Sequence, residues 1–212
     1  MVLVGLIPLS FESPMNSTID QQGNYQNPSL GIGFHIPEGW LVQEPKKIQP
    51  NAPDIAVVAP YSGAFTPSIS FIVEKANGSS LEDFFESKKN QLLASQQNVT
   101  FLSEQNNTID GYKTKIMIIR EDFALQGEKI MIKFKQAFVL ANDNFYTITY
   151  ANEEKNFDSY QSNYDGLLNS ITFGNTQNTF GIDSWFYVIG IGAAIAAGAI
   201  LLKRKKKRSK VE

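Results

Sequence analysis

Residues 112–150 read YKTKIMIIREDFALQGEKIMIKFKQAFVLANDNFYTITY. Apolar residues return at every second position in three runs, 112–120, 128–140 and 145–150, which is the spacing of strands. Asp110-Gly111 stands just before the first run and Asn142-Asp143-Asn144 between the last two. These residues tolerate the positive φ that tight hairpin turns require. A further strand is predicted over 99–105.

Upstream the same period recurs. Ile32, Phe34 and Ile36 alternate with Gly31, Gly33 and His35, and Pro37-Glu38-Gly39 makes a turn before Trp40-Leu41-Val42. Asp54 to Ala59 is a short apolar run, and Ile69, Phe71 and Val73 alternate with Ser68 and Ser70. Then the period changes. Ser79 and Glu82 form a capping box, and Leu81, Phe84, Phe85, Leu92 and Leu93 follow helical spacing, which predicts a helix over 80–96. A second helix is predicted over 153–170. Asn152 caps it, Glu153 and Glu154 sit at its positive end, and Phe157, Tyr160, Tyr164, Leu167, Leu168 and Ile171 share a face. Strands, a helix, more strands and a helix give an α+β fold, an antiparallel β-sheet flanked by helices, over residues 24–173.

The C-terminal region has another character. Residues 185–202, WFYVIGIGAAIAAGAILL, are 18 residues without a charge, at the short end of a bilayer span. Seven of the eight residues 203–210 are basic, as in a cytoplasmic stop-transfer flank. The alternative for 185–202 is a buried core helix. Read as a single span, it leaves the main domain extracytoplasmic, a linker at 174–184 and a basic cytoplasmic tail at 203–212. The bilayer is then a partner, and the basic tail suits anionic lipid. Gly190, Ala194 and Gly198 recur every four residues, a spacing that lets two such helices approach as a homodimer. Residues 1–15 contain the apolar stretch Val2–Leu9 and resemble a signal-peptide remnant without a basic start.

Composition narrows the function. There is no cysteine and one histidine, which excludes disulfides, zinc–thiolate centres and cysteine catalysis. Before residue 203 the chain carries 12 basic against 20 acidic residues, which does not suit a nucleic-acid partner. His35 lacks identifiable partners by spacing, and no Walker, G-x-S-x-G or H-E-x-x-H motif is present. The acidic groups Glu82, Asp83, Glu86 and Glu153, Glu154, Asp158 lie at helix starts without the spacing of a calcium loop. No catalytic residue, metal ligand or cofactor is assigned.

Two sets of surface candidates remain. If Arg120 opposes Glu128, then Lys113 faces Lys135 and Lys115 faces Lys133, and four lysines line one sheet face as a docking surface for an anionic ligand, glycan or protein. The alternatives are lysines splayed into water or a register shifted by two. Asn16, Asn77, Asn98 and Asn106 head N-x-Ser/Thr glycosylation sequons, the last three in predicted connections.

The stretch Tyr25…Gly31-Ile-Gly-Phe-His-Ile-Pro-Glu-Gly-Trp40 resembles the opening of the PsbP-like family, where a strand runs into a Pro-x-Gly-Trp turn. The close, Phe145-Tyr-Thr-Ile-Thr-Tyr150 and then Tyr160…Leu167-Leu-Asn-Ser-Ile-Thr-Phe173, is similar to that family's last strand, helix and terminal strand. The resemblance implies a sheet flanked by helices and a non-catalytic binding or assembly domain outside a membrane. Joined to a C-terminal span, it resembles membrane-anchored surface proteins of archaea. The expected function is binding of an extracytoplasmic protein or ligand. The alternatives are a carrier or retention factor for a metal or small ligand, and an enzyme using surface carboxylates.

Overall fold

The structure, a computed structural model, describes residues 17–45, 52–60, 65–95, 98–125 and 128–175. Residues 1–15, Asn16, the span at 185–202 with Gly190, Ala194 and Gly198, and the tail lie outside them. Among the described residues no helix is long and apolar enough to cross a membrane.

In chain order the strands are β1 (Thr18–Ile19), β2 (Asn24–Asn27), β3 (Ile32–His35), β4 (Leu41–Gln43), β5 (Ile55–Val58) and β6 (Ser68–Lys75). Helix α1 (Leu81–Ser95) follows, then β7 (Val99–Ile109), β8 (Tyr112–Leu125), β9 (Glu128–Ala141) and β10 (Asn144–Glu153). A 3-10 helix (Glu154–Tyr160), α2 (Gln161–Asn169) and β11 (Thr172–Phe173) complete the domain. Seven strands form one sheet in the order β4-β5-β6-β10-β9-β8-β7, and four form a smaller sheet, β1-β2-β3-β11. Every recorded pairing is antiparallel.

The large sheet is buried on both faces, and the alternation of side chains divides the core in two. On one face Tyr25, Phe34, Ile69, Phe71, Ile116, Val139, Ile148 and Leu167 join in a cluster that ties the small sheet and α2 to the large one. On the other, Phe85 and Leu92 of α1 meet Met117, Ile119, Ile132, Phe134 and Phe138. Phe84 stacks on Phe145 with ring centroids 3.9 Å apart, and Phe85 meets Phe138 edge-on at 5.5 Å. Buried tyrosines keep hydrogen-bond partners: Tyr150 donates to the Phe157 carbonyl at 2.7 Å, and Tyr146 to the Leu30 carbonyl at 2.9 Å.

Both expected turns form. Asp110 and Gly111 adopt φ of 48° and 79°, and Asn142 and Asp143 adopt 48° and 60°. Other details differ from expectation. The N-terminus of α1 is capped one residue later, by Ser80, whose Oγ accepts from the Asp83 N–H at 3.1 Å and donates to its carboxylate at 2.6 Å. Asn152 caps no helix. It is buried in β10 and donates to Tyr150 Oη and the Asn156 carbonyl, so the chain enters a 3-10 helix before α2. Ahead of β2, Thr18–Ile19 form the short strand β1, which pairs with it.

The register of β8 on β9 corrects the expectation about the lysines. Arg120 stands opposite Lys133, not Glu128, a slip of five residues. An odd slip turns the whole strand over. Lys113 and Lys115 therefore share the α1 face with Met117 and Ile119, whereas Lys133 and Lys135 lie on the α2 face beside Ile118. The four do not form one surface.

Phe85 is fully buried and Leu93, on the same helix, is 45% exposed. Phe85→Ala is expected to cost about 3–5 kcal/mol, and Leu93→Ala under about 1 kcal/mol, in urea denaturation. Equal losses would show that α1 is not seated as described.

Candidate binding end of the sheet

The large sheet has two unlike ends. At one, the chain leaves the domain. The Phe173 N–H donates to Asp110 Oδ2 at 2.8 Å, Asn142 Nδ2 donates to the Gly174 carbonyl at 3.1 Å, and Tyr112 packs edge-on against Phe173. The exit toward residues 176–212 is thus clipped to the Asp110-Gly111 and Asn142-Asp143 turns.

At the other end β8 and β9 outrun their neighbours. Pairing with β7 ends at Val99–Glu121 and pairing with β10 ends at Glu153–Ile132. The Asp122 N–H still donates to the Asn98 carbonyl at 3.2 Å; beyond it, among the described residues, the two strands continue without a neighbour for three further rows, Phe123–Ile130 to Leu125–Glu128. That is about 10 Å of two-stranded ribbon at ~3.3 Å per residue. Phe123 and Ile130 turn to the α1 face and pack on its cluster, with Phe123 edge-on to Phe134. Met131 is on the opposite face and 45% exposed.

The root of this ribbon carries the unusual charges. Glu121 is buried in the α1 face, in one row with Val99 and Ile132 and between Ile119 and Phe123 along its strand. Burial pushes its carboxyl up to about 7. Glu153 ends the same row. It is buried, receives a hydrogen bond from Asn156 at 3.3 Å and pairs with Lys155 at 2.9 Å. On the opposite face Arg120 lies 3.7 Å from Glu154, and Lys133 Nζ stands 4.6 Å above the Phe157 ring.

Two of the expected docking lysines are engaged in joining a helix to the sheet. Lys135 is 7% exposed, bonded to Asp165 at 2.8 Å and set over the Tyr164 ring. Lys115 pairs with Glu82 at 3.0 Å and Glu104 at 3.7 Å, and Lys89 joins the chain at 2.8 Å from Glu104. Hydrogen bonds to Glu82 and Glu104 hold Lys115 and Lys89, respectively, above the ordinary lysine range. Lys113 is exposed near the chain exit.

The acidic groups at the start of α1 are engaged as well: Glu82 with Lys115, Asp83 with Ser80 and Glu86 with Lys89 at 3.7 Å. His35 is exposed and lies 3.2 Å from Asn24 Oδ1, which places it in the small sheet. Among the described residues no group of three or more His, Asp or Glu is placed to hold a metal. Asn77 and Asn98 are exposed in connections, as expected. Asn106 is exposed too, but lies within β7, because that strand runs four residues longer than predicted.

The first strand of the ribbon runs five residues past its predicted end at 120, through Glu121-Asp122 to Leu125. Its signal was present: the alternation Ile119, Glu121, Phe123 continues past the acids and matches Ile130, Ile132, Phe134.

No protein-family model and no curated protein matches the chain. Solved structures do. One is LpqN of Mycobacterium tuberculosis, described as involved in cell envelope biogenesis, at 11% identity, with a TM-score of 0.52 over 68% of this chain and 83% of that one. Another is the cyanobacterial PsbP protein CyanoP of Synechocystis sp. PCC 6803, at 16% identity, with a TM-score of 0.51 over 80% of this chain and 98% of that one. At such identities the likeness concerns the fold, and the fold is PsbP-like.

The sign of the Glu121 effect is fixed by its direction. Its carboxyl is raised from 4.5 to about 7 in the folded protein, so between those values the folded state holds a proton that the unfolded chain has released. Stability from this group is full below pH 4.5 and is lost as pH rises to about 7. Glu121→Gln is expected to match the parent near pH 4.5 and to exceed it at pH 8 by roughly 1–3 kcal/mol in urea denaturation. Identical pH profiles would remove Glu121 from the buried position.

Proposed function

We propose that this chain is a non-catalytic binding or assembly domain, tethered outside a membrane by residues 185–202, which offers the β8–β9 ribbon to a partner. One observation carries the proposal: the clipped chain exit and the projecting ribbon lie at opposite ends of the same sheet. A span following the exit holds the Asp110-Gly111 end toward the bilayer, and the ribbon, with exposed Met131, points away from it. The ion pairs of Lys115, Lys89 and Lys135 support binding over catalysis, since each cation is spent on joining a helix to the sheet. LpqN, of similar fold, is described in cell envelope biogenesis, which accords with a surface role. Asn77 and Asn98 are exposed in connections, so glycans on them would leave the sheet undisturbed.

Catalysis by carboxylates has one observation in its favour, the raised carboxyl of Glu121 in a row with Glu153. A turnover abolished by Glu121→Gln, with folding retained, would replace the binding proposal.

The full chain is tested in its own membrane. A photo-crosslinking residue at Met131 is expected to capture a partner, and the same residue at Lys113 is not. An impermeant amine reagent on intact cells is expected to reach Lys113 and not the basic tail. Capture only from Lys113, or labelling of the tail from outside, would overturn the proposal.

A further inference from the structure

The large sheet has two edge strands, and they are protected to different degrees. The β4 edge is three residues long, which leaves little for another strand to pair with. The β7 edge is eleven residues long, and among the described residues nothing pairs with its outer side. Long edges are normally blunted by lysine, proline, a bulge or a covering element. Val99–Ile109 contains neither lysine nor proline, and its one irregularity lies at Leu102, between Phe101 and Ser103. From Ser103 to Thr108 the strand is regular, exposed and polar.

Two of the three sequons among the described residues stand on this strand. Asn98-Val99-Thr100 opens it and Asn106-Asn107-Thr108 lies near its end, with both asparagines and both threonines exposed. We propose that N-linked glycans on Asn98 and Asn106 cover the β7 edge and keep other strands from pairing with it, which rests on the extracytoplasmic reading given above. The co-reactant is a phosphate-activated, lipid-linked oligosaccharide. Asparagine Nδ2 bonds to the anomeric carbon of the sugar, the bond from that carbon to the phosphate oxygen breaks, and the lipid phosphate leaves with the electron pair. One amide proton is released, and the product is a bulky, hydrated group on the asparagine.

The surroundings of Asn106 decide where its sugars go. Asn106 stands opposite Lys115, on the face that α1 covers. On the inner side Lys115 is bound to Glu82 of α1 and to Glu104, and Lys89 of α1 reaches Glu104 as well. A group on Asn106 Nδ2 is therefore turned away from the helix and outward past the edge. A strand using the regular stretch Ser103–Thr108 must pass it. The rest of the edge, Val99–Leu102, is cut short by the irregularity and headed by Asn98, whose carbonyl accepts from the Asp122 N–H at 3.2 Å. The third sequon, at Asn77, lies off this edge in the connection from β6 to α1 and serves as a reference.

The full chain is taken from its own membranes, and its fragments are measured by mass spectrometry. Glycan mass is expected on Asn98 and on Asn106. Gln105→Cys then reports the cover, since the chain has no native cysteine. Its reaction with a polymer-bearing maleimide is compared with that of a small maleimide, which normalises for any change in the strand. The ratio is expected to rise at least about ten-fold when Thr100→Ala and Thr108→Ala remove both sequons. It is expected to stay low with Thr100→Ser and Thr108→Ser, which keep them. Either asparagine found bare, or a ratio indifferent to the sequons, would overturn the proposal. With Asn77 glycosylated or Lys113 labelled from outside, that failure leaves the extracytoplasmic reading standing. With all three asparagines bare and Lys113 unlabelled, both fail.

Discussion

The register of β8 on β9 is the constraint on which the rest of the domain depends. Both strands lie in the interior of a sheet covered on two sides, so neither face can be left polar without compensation. With Ile116 opposite Ala137 and Ile119 opposite Phe134, one face completes the cluster under α1 and the other the cluster under α2 and the small sheet. Any odd slip would send each set of side chains to the wrong layer at once.

That constraint also explains where the charges go. A lysine within a strand covered on both sides must find a partner at the seam between sheet and helix. Lys115 reaches Glu82 of α1, and Lys135 reaches Asp165 of α2, each with an aromatic ring beneath its ammonium group. These contacts fix the lateral position of the helices on the sheet. The layers leave two parts of the sheet uncovered: the ribbon at one end and the β7 edge along one side.

Local features were legible in the sequence wherever local chemistry decides them. Asp110-Gly111 and Asn142-Asp143 demand positive φ, and α1 shows its period and its acidic first turn. The last strand and helix matched the PsbP-like pattern, and the fold is of that kind. Register was not legible. An opposed Arg120 and Glu128 is worth some tenths of a kcal/mol, whereas burying Ile119, Phe134 and Phe138 together is worth several, so the apolar match wins. Strand β2, with Tyr25 as its one large apolar residue, forms because that ring packs on Phe34, a contact that only the tertiary structure supplies. The ribbon was obscured by Glu121 and Asp122, two acids inside a strand whose burial depends on the same register.

Backbone pairing of β8 with β9, read from cross-strand proton contacts by NMR, tests this account most directly. The account predicts contacts linking Ile118 with Lys135 and Arg120 with Lys133, continuing to Phe123 with Ile130. Contacts linking Lys113 with Lys135 and Lys115 with Lys133 would contradict it, and with it both the division of the core and the projecting ribbon.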